Sequence, residues 1–195
     1  MAATLQTIHQ TDEPPIVFVS YSHKDEAWKD KLLPQFGQLA RLGILEVWDD
    51  RQIKAGVDWY ARIREILDRT RCAVCLISDN FLNSSFCMDE EIPYLLQQRY
   101  RGKLELFPVL LSDCVWEAHP WLKRWQIRPR DARSVETHFA TNPKQVFADL
   151  AREVVQYLET GKGHERPPPP GVLRPRSTSP ACPRPTICCS AGERS

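Results

Sequence analysis

No stretch of this 195-residue chain approaches the roughly 20 consecutive apolar residues that span a bilayer, so the sequence offers no transmembrane helix. The opening MAATLQTIHQTDEPP has neither a charged start nor an apolar centre, which argues against a secretory signal and makes a cytoplasmic protein the expectation. An excess of one charge is also missing. Lys and Arg number 26 against 25 Asp and Glu, a formal net charge of +1. No global field therefore draws the chain to nucleic acid or to a membrane surface, and neither is expected as a partner. Neither G-x-G-x-x-G nor G-x-x-x-x-G-K-[ST] occurs, which removes the usual cradles for a pyrophosphate or triphosphate. Five histidines fall in no ligand spacing, so no metal site is expected. No G-x-S-x-G elbow presents a nucleophilic serine.

Cysteine is not scarce, but its placement is uninformative for metal or disulfide chemistry. Cys72 and Cys75 lie in the apolar run CAVCLIS with C-x-x-C spacing. Residues three apart on an extended strand point to opposite faces, so these two read as separate core thiols. Cys182, Cys188 and Cys189 fall in a C-terminal stretch rich in proline and arginine.

The remaining composition, 42% hydrophobic and 26% charged, suits one globular domain with tails. Residues 1–13 read as a flexible leader, 14–159 as the folded part, and 160–195 as a disordered tail that cannot bury enough apolar surface to fold. Within the folded part, short apolar runs alternate with helical periodicity. IVFVSY (16–21), ILEVWDD (44–50), CAVCLIS (72–78) and LELFPVLLS (104–112) read as strands. Trp28, Leu32, Phe36, Leu39 and Ala40 form one helical stripe, and Asp58 is expected to cap a helix burying Trp59, Ile63, Ile66 and Leu67. A third helix is expected from about Ser85 to Gln98, with Pro93 kinking it, and a last one from about Pro143 to Leu158. Strand–helix alternation predicts an α/β, flavodoxin-like, doubly wound parallel sheet with helices on both faces.

Ligands of such sheets bind outside the carboxyl ends of the strands. Tyr21 and Ser22 end the first strand there, and Trp48 and Asp49 end the second; a large aromatic such as Trp48 serves burial before ligand binding, and Asp49 could instead start the turn. After the third strand comes DNFLNSSFCMDEEIPYLL (79–96), with the acids Asp89, Glu90 and Glu91 side by side. Ser84 and Ser85 precede them as helix caps or ligands. Asp89 and an outward-facing glutamate would be ordinary solvated charges near a helix start.

FVSYSHKDE (18–26), VWDDRQIKAG (47–56), LISDNFLNSSFCMDEEI (76–92) and FPVLLSDCVWE (107–117) together resemble the Toll/interleukin-1 receptor (TIR) domain, nearest its prokaryotic branch. The resemblance spans about residues 14–159 and implies one of two functions. Some members cleave NAD+ between nicotinamide and ribose, with no cofactor beyond this substrate; others are non-catalytic adaptors that bind further TIR domains. In the cleaving members a glutamate on the helix after the third strand precedes an aliphatic residue, with apolar residues three and four positions beyond that. Glu91-Ile92 with Leu95-Leu96 fits this pattern, with Glu90 as the alternative register. Cys87, four residues before Glu91, joins the implied substrate contacts. The chemistry is coherent: nicotinamide is already a cationic leaving group, and one carboxylate can steady the oxocarbenium-like sugar. The resemblance also assigns the loop with Ile53, Lys54, Ala55 and Gly56 to assembly between domains, an exposed Ile53 on a turn eased by Gly56. A signalling or defence role, with activity on self-assembly, is what the resemblance implies.

Overall fold

A computed structural model describes residues 13–49 and 59–161, with only the backbone described at 59–61. Most of the leader, most of the tail, the cap at Asp58 and the loop with Ile53, Lys54, Ala55 and Gly56 lie outside the described residues.

Strand β1, Ile16–Ser20, is buried along its whole length, as its unbroken apolar run requires of a strand covered on both faces. A single 3-10 turn, His23–Asp25, leads into α1, Glu26–Arg41. Strand β2, Glu46–Trp48, is short; α2 covers Trp59–Arg69 and β3 covers Thr70–Ile77. Strand β4, Glu105–Leu110, completes the sheet, and two further helices follow, named below. All pairings are parallel and the spatial order is β2-β1-β3-β4. Beyond β4, Arg128 adds one bridge to the edge: its N–H donates to Pro108 O and its carbonyl accepts from Leu110 N–H, both at 2.8 Å.

The period of two along β1 sorts the core into two clusters. Val17, Val19 and Tyr21 face α1, where Leu32 and Phe36 are buried and Trp28, Leu39 and Ala40 pack at the margin, the stripe expected from spacing. Cys72 belongs to this side. Ile16 and Phe18 face the opposite cluster with Trp48, Ile63, Ile66, Leu67 and Cys75. The one and a half strand periods that separate Cys72 from Cys75 thus put them on opposite faces, and both are free thiols.

The expected third helix forms, unbroken over residues 85–100, but it opens with a π-helical turn and is preceded by a separate short helix. Residues 79–100 form α3, Asp79–Leu82, then a π-helical turn, Phe86–Glu91, then α4, Ile92–Tyr100. Pro93 stands in the first turn of α4, directly after the π turn, and the departure from a regular helix expected around it takes the form of that wider turn. Helix α5, Val135–His138, is short, and α6 runs from Pro143 to Thr160, packed beside α1. It ends where Gly161 adopts φ 63° and donates to Tyr157 O at 2.8 Å, a left-handed cap that glycine takes without steric cost. Trp116, Trp121 and Trp125 lie partly buried against the cluster that holds Trp48, so packing accounts for them.

Candidate functional site

The chain runs from β1 outward to β2, then crosses back to lay β3 on the other side of β1. The strand order therefore reverses between β1 and β3, and a crevice at the carboxyl ends of these two strands is where a doubly wound sheet receives ligands. The residues there are Ser20, Tyr21 and Ser22 from β1 and its turn, and Ile77 and Ser78 from β3.

Glu91 reaches this point. Of the three neighbouring acids, Asp89 and Glu90 are exposed, while Glu91 is only 4% exposed. The Ser20 hydroxyl donates to Glu91 Oε2 across the 71 residues that separate them. The local reason is the π-helical turn. Ile92 N–H donates to Cys87 O, five residues back, so each residue turns the chain less than in an α-helix. The wider turn brings both Cys87 and Glu91 inward, and such turns recur at functional sites. Ser84 starts this segment: its Oγ accepts from Cys87 N–H at 3.3 Å and its carbonyl from Met88 N–H at 2.9 Å, the part of a cap. Ser85 makes no side-chain cap bond. The Cys87 thiol donates to Tyr21 O at 3.5 Å, which fastens the π turn to the end of β1.

Beneath the carboxylate lies Cys75, the register partner of Ser20 on β3. Burial holds its thiol far above the ordinary range, and the nearby Glu91 and Cys87 add to the effect. It is a neutral wall of the site and not a nucleophile.

A second buried carboxylate closes the other side of the crevice. Asp25 accepts from the Ser78 hydroxyl and from Asn80 Nδ2, the latter at 2.7 Å, so the turn after β1 is tied to the turn after β3. Ser78 meanwhile caps α3 by accepting from Phe81 N–H at 3.0 Å.

The positions proposed from sequence divide accordingly. Glu91, Cys87 and the backbone of Tyr21 come together. The Tyr21 ring does not join them: it packs on the α1 face, with Lys29 Nζ 5.4 Å from its centroid. Asp49 is buried on that side too, 3.8 Å from Lys29 Nζ. Trp48 is core, Ser22 is buried, and Ser84 is half-buried. Ser20 and Asp25 are not among the positions proposed from sequence, and Cys75 is there only as a core thiol. Ser20 was findable: in IVFVS it is the one hydroxyl on the face of Ile16 and Phe18, the face on which the helix after β3 packs.

Three cavities lined by described residues lie elsewhere. One of 360 Å³ runs between α1 and α6 past Leu39 and Val155; one of 440 Å³ lies by Arg128 and Phe139; one of 380 Å³ lies at the amino end of the sheet by Pro15 and Lys103. None of their lining residues belongs to the carboxyl-end crevice.

With that geometry in place, the family model for the TIR domain matches residues 17–141. The chain belongs to the TIR domain family. An uncharacterized protein of Sinorhizobium fredii, y4lF, is 34% identical over 121 residues, 62% of this chain and 37% of that protein. Toll-like receptor 13 of Mus musculus is 29% identical over 108 residues, 54% of this chain and 11% of the receptor. This TIR domain chain thus spans little more than a third of the first relative and about a tenth of the second. Among solved structures, the TIR domains of the activated Roq1 resistosome, which directly recognizes the pathogen effector XopQ, superpose with a TM-score of 0.51 at 15% identity, covering 71% of this chain and 98% of that one. At that identity the likeness concerns the fold, a parallel four-stranded sheet with helices on both sides. Among the described residues of this TIR domain, no helix is long and apolar enough to cross a membrane.

Proposed function

We propose that this TIR domain cleaves NAD+ at the bond between nicotinamide and ribose, using Glu91, and does so when assembled with further copies. The observation that carries the reading is the burial of one carboxylate, out of three adjacent ones, at the reversal point of the sheet. A carboxylate withdrawn from water is costly unless partnered, and a solvated helix face would leave all three acids outside.

The chemistry asks little more of the protein. As the bond from ribose C1′ to the pyridinium nitrogen breaks, its electron pair goes to that nitrogen and nicotinamide departs neutral, so no acid is required. The sugar becomes an oxocarbenium-like cation. The Glu91 carboxylate stabilises the developing charge and accepts hydrogen bonds from ribose hydroxyls. Water then adds to C1′ and loses a proton, giving ADP-ribose; capture of C1′ by a ring atom elsewhere in the same ADP-ribosyl fragment gives a cyclic form. No metal or second carboxylate enters.

Nicotinamide release by the full chain at high concentration tests this, in wild type, Glu90→Ala and Glu91→Ala. We expect wild-type turnover and near-wild-type turnover in Glu90→Ala. Glu91→Ala should lose about two or more orders of magnitude, as removal of a single transition-state stabiliser does elsewhere. Equal activity in all three would overturn the assignment.

The bond from Ser20 favours a second reading as well. A hydrogen-bonded buried glutamate also serves purely to hold β1 to the π turn, in a non-catalytic adaptor that binds other TIR domains in signal transduction. Wild-type protein that releases no nicotinamide even when oligomerised, together with a large loss of stability in Glu91→Ala, would mark that role.

A further inference from the structure

The site contains a group that is neither a substrate contact nor an acid. Ser20 is the last residue of β1, at 1% exposure, and its side chain projects to the face covered by α2, the π turn and α4. A strand side chain there would ordinarily be apolar, as Ile16 and Phe18 are. Its hydroxyl instead donates to Glu91 Oε2. Its backbone is fixed by pairing with Cys75 on β3, so the donor cannot follow the carboxylate if that moves.

The groups facing Glu91 act on it in opposite directions. Among the described residues, the cluster on this side of the sheet is apolar: Phe18 and Trp48 from the strands, Ile63 and Ile66 from α2, Phe81 from α3, Ile92 from α4. Burial among them favours a protonated, neutral carboxyl. Cys75 from β3 and Cys87 from the π turn are thiols, and the Cys87 thiol is directed to Tyr21 O. Asp49 and Lys29 face the other side of the sheet, Asp89 and Glu90 point to solvent, and the charged residues of α2 around Ile63 and Ile66 are exposed or half-buried. A hydroxyl donated to a carboxylate stabilises the ionised form, because a protonated carboxyl has one lone-pair site fewer and a proton of its own to place.

We propose that Ser20 is a positioning residue of this site, helping to hold Glu91 ionised and aimed across the carboxyl end of β1. The inference rests on the reading of Glu91 as the group that steadies the sugar cation, for which only the ionised form serves. Ser20 touches no reacting atom and acts through Glu91.

The test has two independent readouts on the full chain. Glutamate side chains labelled with 13C at the carboxyl carbon are titrated by NMR, the Glu91 signal being the one absent from Glu91→Gln. Losing a charge-assisted hydrogen bond is expected to move the Glu91 midpoint up by about one pH unit in Ser20→Ala. Ser20→Thr keeps the hydroxyl and should return the midpoint to within a few tenths of a unit of wild type. An unchanged midpoint in Ser20→Ala overturns the inference. So does a shift that Ser20→Thr reproduces, since packing alone would then explain it. If Ser20→Ala does not fold, Ser20→Cys, close in size with a weaker donor, takes its place with an intermediate upward shift expected.

The second readout is NAD+ cleavage. Ser20→Ala should lower kcat about tenfold with KM little changed, and the acid limb of its pH profile should rise in step with the NMR midpoint. A KM increase at constant kcat would make Ser20 a substrate contact and overturn the positioning role. Because the titration requires no turnover, it decides the Ser20–Glu91 coupling even if wild type releases no nicotinamide. In that event the cleavage reading fails by itself.

Discussion

Each described cysteine is placed where its reactivity is set by what surrounds it. Cys72 and Cys75 are wholly buried, and burial holds both thiols far above the ordinary range, with Glu105 adding to the effect at Cys72 and Glu91 and Cys87 adding to it at Cys75. Cys114 is half-buried after β4, its thiol pushed up to about 11, chiefly by burial and then by Asp79. The thiolate is the reactive species, so at pH 8 and in the folded state Cys114 should label slowly with a maleimide. Cys72, Cys75 and Cys87 should label only after unfolding. Peptide-level mass spectrometry reads this directly, and prompt native-state labelling of Cys75 would contradict the packing described beneath Glu91. Single residues were also where sequence reading reached its limit. The glutamate pattern brought Glu91 and Glu90 forward, but which of two adjacent acids turns inward depends on the helical phase, and one extra residue per turn changes that phase. Ser20 follows from the period of two along β1. Asp25 does not: it lies 53 residues from Ser78, and only the reversal between β1 and β3 brings them together.

At the scale of elements, strands and helices were legible because their apolar periods are regular, the helix after β3 included, whereas its opening π turn and the short α3 before it were not. A helical stripe through Phe86, Ile92 and Leu95 fits a regular helix as well as one that opens with a π turn, and a π turn leaves no compositional mark. The consequence is testable. Deleting the exposed Asp89 should convert the π turn toward regular α-helix and rotate Glu91 away from Ser20 by roughly 100°, the turn made by one helical residue. Far-UV circular dichroism should change little, while nicotinamide release falls to the level of Glu91→Ala. Retained turnover would show that the π turn does not set the acid. A second prediction concerns the join between α4 and β4. Arg99 and Glu105 meet at 2.6 Å with both side chains nearly buried. Burial raises the Glu105 carboxyl above its usual range, and Arg99 opposes this most strongly. Arg99→Met removes that opposition, so the folded-state carboxyl should rise further. A raised acid favours the folded state below its unfolded value, an advantage that is lost as pH climbs through the folded one. The variant should therefore be destabilised by about 3 kcal/mol near pH 8, as expected when one partner of a buried pair is removed, and by clearly less near pH 4. Urea unfolding at the two pH values measures the difference; a loss independent of pH would mean that Arg99 acts by packing alone.

For the molecule as a whole, the topology explains why the acid lies where it does, and the burial of that acid raises the question of access. Order β2-β1-β3-β4 puts the ends of the two central strands side by side, and everything at the site hangs from them: Ser20 and Asp25 on or after β1, Cys75 and Ser78 on or after β3, Glu91 from the connection to β4. In the single chain Glu91 is 4% exposed, and the three cavities described lie on other surfaces. A dinucleotide has to reach a carboxylate that is 4% exposed in the single chain. A contact between copies that favours an open crevice would stabilise the competent state by its differential affinity for that state. If assembly acts in this way, turnover per mole of chain must rise with concentration, steeply below the dissociation constant of the contact and flat above it. Nicotinamide release measured over a hundredfold dilution series, beside sedimentation velocity at the same concentrations, checks this. We expect turnover per mole to follow the assembled fraction, and Ile53→Asp to lower both together. Turnover per mole that stays constant while the protein dissociates would show that one copy opens its own crevice, and assembly would then have no part in the cleavage step.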